Sequence, residues 1–463
     1  MPKHLLRLLS KQENKIKYVV LSVLMLSGCS EPNPVLSDIQ RQGKLVVLTI
    51  NAPTTYYSGA NDKVAGFEAD LSKAFADSLG VEVEYKVFSN ITELLSALNN
   101  NEGHLVASGL TRTAEREKDY LFGTDYKAVQ QEVVCHRKST LPKTTGDLLQ
   151  RSILINSKSS YQETLLNLQK QLPELKWLTN DELAAEQVLL QVVNKEIDCT
   201  LLDSNILSLN RRYFPNLVAA FPISKQQHLA WVLPSHSEGF KQTVTDWFAK
   251  KETLEQLAMI DERYYGYADF FDFYNNHIYL KRIKARLPQY TASFKKVAEE
   301  YQLPWTLLAA QSYQESGWHS AAVSHTGVRG LMMLTRSTAK LMGVKDRVDP
   351  YQSIHGGAKY LQLMLQKVQE DVLAEDKIWF ALAAYNIGFA HMLDARKLAR
   401  ELGKSPSTWH DMRTILPLLS QKKYYKNLKY GYARGIEPVK YIDQIRYFQD
   451  VLVNTLEKSL AEQ

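Results

Sequence analysis

The hydrophobic periodicity changes character near residue 270, and no other feature constrains the fold of this chain as strongly. Up to that point short apolar runs of strand length alternate with amphipathic helical stretches; from about residue 280 the pattern is helical almost without strands. A single layered core does not serve both patterns, so the 463 residues read as two modules, each with its own core. In the first, KLVVLTI (44–50) is a buried-strand run, and Asp70 to Gly80 places Leu71, Ala74, Phe75 and Leu79 on one helical face before a glycine stop. VEVEYKVF then alternates with period two, a helix carrying Leu94, Leu95 and Leu98 leads to HLVASG, and the alternation resumes at Ser152 and runs to Leu202. The expectation is an α/β module with parallel sheets followed by a mainly α module.

Between them, Tyr264 to Tyr279 holds eight aromatics (Tyr264, Tyr265, Tyr267, Phe270, Phe271, Phe273, Tyr274 and Tyr279), where a flexible linker would be rich in Gly, Ser or Pro. This stretch is expected to pack against one or both modules and to hold them in a fixed or two-state arrangement.

Residues 1–28 carry five basic residues and one acidic, then an apolar run from Tyr18 to Leu26, well short of the ~20 residues a membrane-spanning helix needs. This is an export signal. It ends in Leu26-Ser27-Gly28-Cys29, which resembles the bacterial lipobox, whose cysteine is acylated and becomes the first residue of the mature chain. Ser30 is not the Asp expected of inner-membrane lipoproteins. The resemblance thus implies a lipid anchor at Cys29 on the periplasmic face of the cell outer membrane. The other cysteines, Cys135 and Cys199, lie in apolar strand-like runs and read equally well as core residues or as a disulfide that an oxidising compartment permits.

The whole chain has a net charge of +6, too even to suggest a nucleic-acid partner. Beyond the leader, Cys29 to Phe270 carries 24 basic and 31 acidic residues, and Phe271 to Gln463 carries 27 and 18, so the two parts are opposed at −7 and +9. The chain therefore divides into a leader (1–28), an acidic module (29–270) and a basic module (271–463). A basic module in the periplasm would meet the polyanionic polymers of the wall.

Within the acidic module GFEADL (66–71), GLTRTAER (109–116), SSYQETLL (159–166) and IDCTLLD (197–203) occur in that order. Together they resemble the family-3 periplasmic solute-binding proteins, two-lobed receptors for amino acids and similar solutes, over residues 40–262. The resemblance implies that Thr111, Thr113 and Arg116 hold a ligand α-carboxylate, that Ser160 adds a second contact to it, and that Asp203 pairs with the ligand ammonium. A guanidinium fork suits the first task, and the end of an apolar strand suits the last. Ala114 stands where the family often has Pro, which loosens the loop. Tyr56 and Tyr57 offer either an aromatic wall or simple packing.

In the basic module Pro304 opens and Gly317 closes a helical run, with Leu308 and Gln311 on the face of Glu315. A carboxyl at the end of so weakly polar a helix is disfavoured in its charged form, which suits a proton donor working near neutral pH. QESGW, GVRGLMMLT (327–335), AAYNIG (383–388) and YGYARGIEPVKYIDQI (430–445) follow one another. In order and spacing they resemble the lytic transglycosylases of the goose-type lysozyme superfamily. The resemblance implies peptidoglycan glycan strands as substrate, Glu315 as the catalytic acid and base, and Ser316, Gly327, Gly330, Met332, Met333, Tyr385, Asn386 and Tyr441 around the sugar, although core packing explains Met332 and Met333 equally well. Glu437 is expected to be structural or part of a proton network. Met333 stands in place of a frequent Gln, and His325 in place of a loop Pro.

These motifs hold one candidate acid where ordinary glycosidases use two carboxylates. The implied chemistry is protonation of the oxygen between N-acetylmuramic acid and N-acetylglucosamine, then return of the same group as base toward the muramyl 6-hydroxyl, leaving a 1,6-anhydromuramyl end. No cofactor and no metal is expected: the histidines form no H-x-x-x-H set, and His319 and His325 read as polar surface. The acidic module would bind an amino acid or muropeptide and modulate the cleavage. Two readings stand beside this one, a non-catalytic solute receptor or wall-binding lipoprotein and a lysozyme-like hydrolase.

Overall fold

The computed structural model describes residues 33–58, 64–180, 183, 185–267, 273–324 and 327–461; the leader with Cys29, and Phe270, Phe271 and His325, lie outside them. KLVVLTI forms the strand Lys44–Ile50, buried along its five central residues. Glu82–Phe88 and Leu105–Val106 flank it in parallel, as the alternation predicts. The sheet then continues through Gln227–Leu233 and Leu121–Val129, both joined antiparallel. A second lobe is built on the antiparallel sheet Cys199–Asp203, Gln131–His136, Leu217–Pro222.

Parallel sheets throughout are therefore not what forms, and the way the chain crosses between lobes is the reason. Leu121–Val129 runs almost without a break into Gln131–His136, and Leu217–Pro222 returns as Gln227–Leu233. With no helix to reverse direction between outward and return passes, the neighbouring strands pair antiparallel. Cys135 and Cys199 face each other across that second sheet and form a disulfide.

The helix Phe67–Leu79 ends at Gly80, whose φ of 71° is left-handed. It buries Leu71 and Phe75, the latter ring against Trp231 and Trp247.

From Phe273 onward the described residues form helices joined by turns, with only isolated β-bridges. The helix Trp305–Ser316 packs between Pro288–Tyr301 and the long helix Ile436–Ala461. Tyr279, Phe294, Trp318 and Trp409 fill the core around it.

The aromatic junction packs into both modules. Tyr264 and Tyr265 lie against Phe67 of the first core, while Tyr267 and Tyr279 belong to the second. Buried charges lock the seam: Arg446 donates to Glu262 at 2.5 Å, and Arg413 bridges Glu262 at 3.3 Å and Asp443 at 3.0 Å. On the second lobe Arg212 pairs with Asp450, to which Tyr267 also donates. Removing one partner of a buried pair typically costs about 3–5 kcal/mol, so the seam resists opening. Tyr56 and Tyr57 pack rather than form a ligand wall, Tyr56 against Tyr85 with ring centroids 5.0 Å apart and Tyr57 near Asp450 and Tyr267 at the seam.

Candidate active site and ligand cleft

Glu315 lies in the last turn of Trp305–Ser316, which Pro304 caps and Gly317 ends at φ 60°. Burial pushes its carboxyl up to about 7, against one opposing influence, the Tyr441 hydroxyl. The negative end of the helix dipole acts in the same direction as burial. Tyr441 donates to Oε1 of Glu315 at 2.6 Å and accepts from Nε2 of Gln311 at 3.1 Å. Gln311 is the residue one helical turn before Glu315, fully buried, with its Oε1 unpartnered. Its part in the site had only its helical spacing to announce it.

The second wall is the stretch 327–335. Arg329 and Leu334 exchange backbone bonds of 3.3 and 3.0 Å, so the residues between them form a tight hairpin. Its tip faces the helix of Glu315: Ser316 and Ser312 donate to the Leu331 carbonyl at 3.0 and 3.1 Å, and Tyr385 donates to the Met332 carbonyl at 3.0 Å. Burial first, then the charge of Glu315, holds the Tyr385 hydroxyl well above its ordinary value, which puts Tyr385 beside the acid.

Glu315, Ser316, Tyr385 and Tyr441 are thus gathered together, and three other expectations change. Met332 is fully buried with Leu334 and Ala339 and gives the site only its carbonyl, not a cleft-lining side chain. Gly330 makes room for protein rather than glycan: at φ 86°, a Cβ there would stand 1.7 Å from the Arg347 carbonyl oxygen. Glu437 is exposed and pairs with Arg434 at 3.0 Å, outside any network with Glu315. Met333, at φ 45°, is half-exposed at the hairpin turn, Gly327 is exposed before it, and Asn386 is exposed next to Tyr385.

The first module has a cleft of about 490 Å³ between its lobes, lined by Thr111, Arg116, Ser160 and Asp203 among others. Arg116 is buried, donates to the carbonyls of Thr111 and Lys158 at 3.0 and 3.3 Å, and lies 3.9 Å from Glu163 of the facing lobe. Burial pushes Asp203 up to about 7 against the hydroxyls of Thr111 and Tyr161; its Oδ2 accepts from Thr111 at 3.4 Å, while its buried Oδ1 has no partner among the described residues. A guanidinium and a half-satisfied carboxyl facing one cleft suit a ligand bearing both charges. Thr113 does not line the cleft; its hydroxyl accepts from the Arg116 amide at 3.2 Å and so shapes the loop. Glu163 stood within the SSYQETLL run, but nothing local in the sequence pointed it at Arg116. Among the described residues no group of three or more His, Cys, Asp or Glu is placed to hold a metal ion.

Two family models match the chain. Bacterial extracellular solute-binding proteins, family 3, matches residues 45–267, and the Transglycosylase SLT domain matches residues 292–407. The chain is 40% identical over 443 residues to the membrane-bound lytic murein transglycosylase F of Maricaulis maris (strain MCS10), covering 94% of this chain and 97% of that one. It is 40% identical over 437 residues to the protein of the same name from Aeromonas salmonicida (strain A449), covering 94% and 87%. With a two-lobed binding module and a helical glycan-cleaving module in one chain, and relatives matched over nearly their whole length, the protein belongs to the membrane-bound lytic murein transglycosylase F family.

Proposed function

We propose that this murein-degrading transglycosylase works with Glu315 as its single acid and base. The observation that carries the reading is a carboxyl raised to about 7 with one oxygen fixed by Tyr441. Near neutral pH a large share of such a group is protonated, and Oε2 is left to give its proton to the glycosidic oxygen. Once ionised, the carboxylate is stabilised by the Tyr441 donor and accepts the proton of the muramyl 6-hydroxyl as that oxygen attacks the anomeric carbon. The bond to N-acetylglucosamine breaks, the 1,6-anhydro bond forms, and Glu315 returns to its starting state without net water. Tyr385, Ser316 and the hairpin carbonyls shape the wall against which the muramic sugar sits; Met333 and Asn386 offer side chains at its rim.

The binding module (29–270) takes an amino acid or wall peptide, with Arg116 on a carboxylate, Asp203 on an ammonium and Thr111 and Ser160 beside them, and modulates the catalytic module (271–463). The relatives are called membrane-bound, and no helix among the described residues is long and apolar enough to cross a membrane. Acylation of Cys29 at the outer membrane accounts for both, and fractionation of a Cys29→Ala variant tests it.

The test of the chemistry is mass spectrometry of purified peptidoglycan digested with the chain from Ser30 onward and with its Glu315→Gln variant. Anhydro ends that disappear in the variant are expected; ends heavier by one water would make the enzyme a hydrolase, and unchanged cleavage by the variant would remove Glu315 from the chemistry.

A further inference from the structure

The base of the hairpin that walls the active site carries three guanidiniums with no carboxylate partner among the described residues. Arg329 and Arg336 are exposed, without a side-chain hydrogen bond or ion pair among the described residues, and line an open recess of about 620 Å³ with Gly327, Val328, Thr335 and Ser337. Arg347 donates to the carbonyls of Gly327 and Leu334 at 3.0 and 2.9 Å, pinning both ends of the hairpin beside that recess. Its own proton affinity is lowered first by burial and then by the charges of Arg329 and Arg336, so the three groups act on one another. The nearest carboxylates in sequence are turned elsewhere: Asp346 accepts from the Val348 amide at 2.9 Å and Asp349 from the Gln352 amide at 2.8 Å.

Clustering like charges without neutralising them destabilises a fold unless an anion relieves it. The position of the cluster says which anion. The hairpin tip, Leu331 and Met332, touches the neighbours of Glu315. Arg329 stands two to three residues before that tip in the same hairpin, a separation of at most roughly 7–11 Å for any backbone path of that length. A muramic sugar cleaved at Glu315 carries its peptide on the lactyl group, and the free carboxylates of that peptide begin about two residues out, a similar reach.

We propose that this recess is an anion subsite for the carboxylates of the peptide borne by the muramic sugar being cut, so that the enzyme selects peptide-bearing glycan over bare glycan. The proposal rests on the assignment of Glu315 to the cleavage site. Arg329 and Arg336 supply the bidentate contacts, and Arg347 holds the hairpin that presents them. Bare strands, cut free of peptide, occupy the sugar cleft and leave the recess unpaired.

The test uses the chain from Ser30 onward with Glu315→Gln, so that substrate is bound and not consumed, and glycan strands of equal length with their peptides intact or removed by an amidase. Intact strands should bind about tenfold more tightly than stripped ones, with the difference shrinking as salt rises. Arg329→Gln combined with Arg336→Gln should bring intact strands down to the stripped level; Arg329→Lys with Arg336→Lys should keep part of the difference, because charge remains and the fork is lost. Both positions are exposed, and a thermal melt of each variant checks that the fold is intact. The binding module is untouched by these substitutions, so a peptide effect that survives them belongs to that module and overturns the proposal. Equal binding of the two strands by the unsubstituted recess overturns it as well. Failure of the Glu315 assignment shows separately, as anhydro product still formed by Glu315→Gln.

Discussion

Tyr441→Phe isolates the one side-chain hydrogen bond that Glu315 receives among the described residues. The phenol donates at 2.6 Å to a carboxyl that burial has raised to about 7. A hydrogen bond to a charged group contributes roughly 1.5–3 kcal/mol, and about 1.36 kcal/mol corresponds to one pKa unit. Because the donor favours the ionised form, its removal raises the Glu315 pKa further, by roughly 1–2 units. The reaction starts from the protonated acid, so kcat/KM falls as pH rises through that pKa. The alkaline limb of the profile should therefore move up by the same interval, while the maximal rate drops because the returning carboxylate has lost its stabilising donor. Initial rates of anhydromuropeptide release across about pH 5 to 10 measure both. An unmoved limb would assign it to another group, and a limb moved down would reverse the sign of the Tyr441 contact. A thermal melt monitors the side effect, a Gln311 amide that loses its acceptor at a cost of roughly 1–3 kcal/mol.

Glu68 sits fully buried under the ligand cleft, accepting from Trp231 at 3.0 Å and the Gly109 amide at 3.1 Å, and burial pushes it from 4.5 up to about 7. Its protonated form is the one the fold prefers, so its contribution to stability is full below pH 4.5 and is lost as pH rises to about 7, roughly 3 kcal/mol in all. Glu68→Gln, which does not titrate, should flatten that part of the pH dependence in denaturation of the first module; an unchanged slope would rule the group out. Gly330→Ala forces a Cβ into the Arg347 carbonyl at a left-handed φ and should lower the stability of the helical module by roughly 2–4 kcal/mol, together with activity; an unshifted melting temperature would contradict the packing described. Replacing Cys135 and Cys199 by Ser opens a loop of 64 residues, which loop entropy values at about 4 kcal/mol, read as a lower melting temperature that reductant no longer affects; equal melting of the two forms would argue against the bridge.

What local pattern defines, the sequence makes legible. The strand Lys44–Ile50, the helix Phe67–Leu79 with its glycine stop and the helix Trp305–Ser316 between Pro304 and Gly317 all lie where periodicity and end signals put them, and the raised proton affinity of Glu315 follows from the poverty of polar groups around it. What pairs residues far apart in the chain is not legible there. The antiparallel return strands, the inward turn of Met332 and the protein contact that occupies Gly330 each depend on a partner that no spacing rule names. The Tyr441 bond to Glu315 spans 126 positions, and only the long helix Ile436–Ala461 brings it into reach. That helix has more than one task. It carries Tyr441 to Glu315, Asp443 to Arg413, Arg446 to Glu262 and Asp450 to Arg212, so one rod runs from the catalytic carboxyl through the seam to the second lobe of the binding module. From Tyr441 to Asp450 is about 14 Å of continuous helix, a rigid element of the kind that can couple two sites. A ligand that altered how the lobes close would bear on the Arg212–Asp450 pair and, through the same rod, on the donor of Glu315. Its effect on cleavage is bounded by the difference in its affinity for the two lobe arrangements, so a ligand that binds both equally well shifts nothing, however tightly it is held.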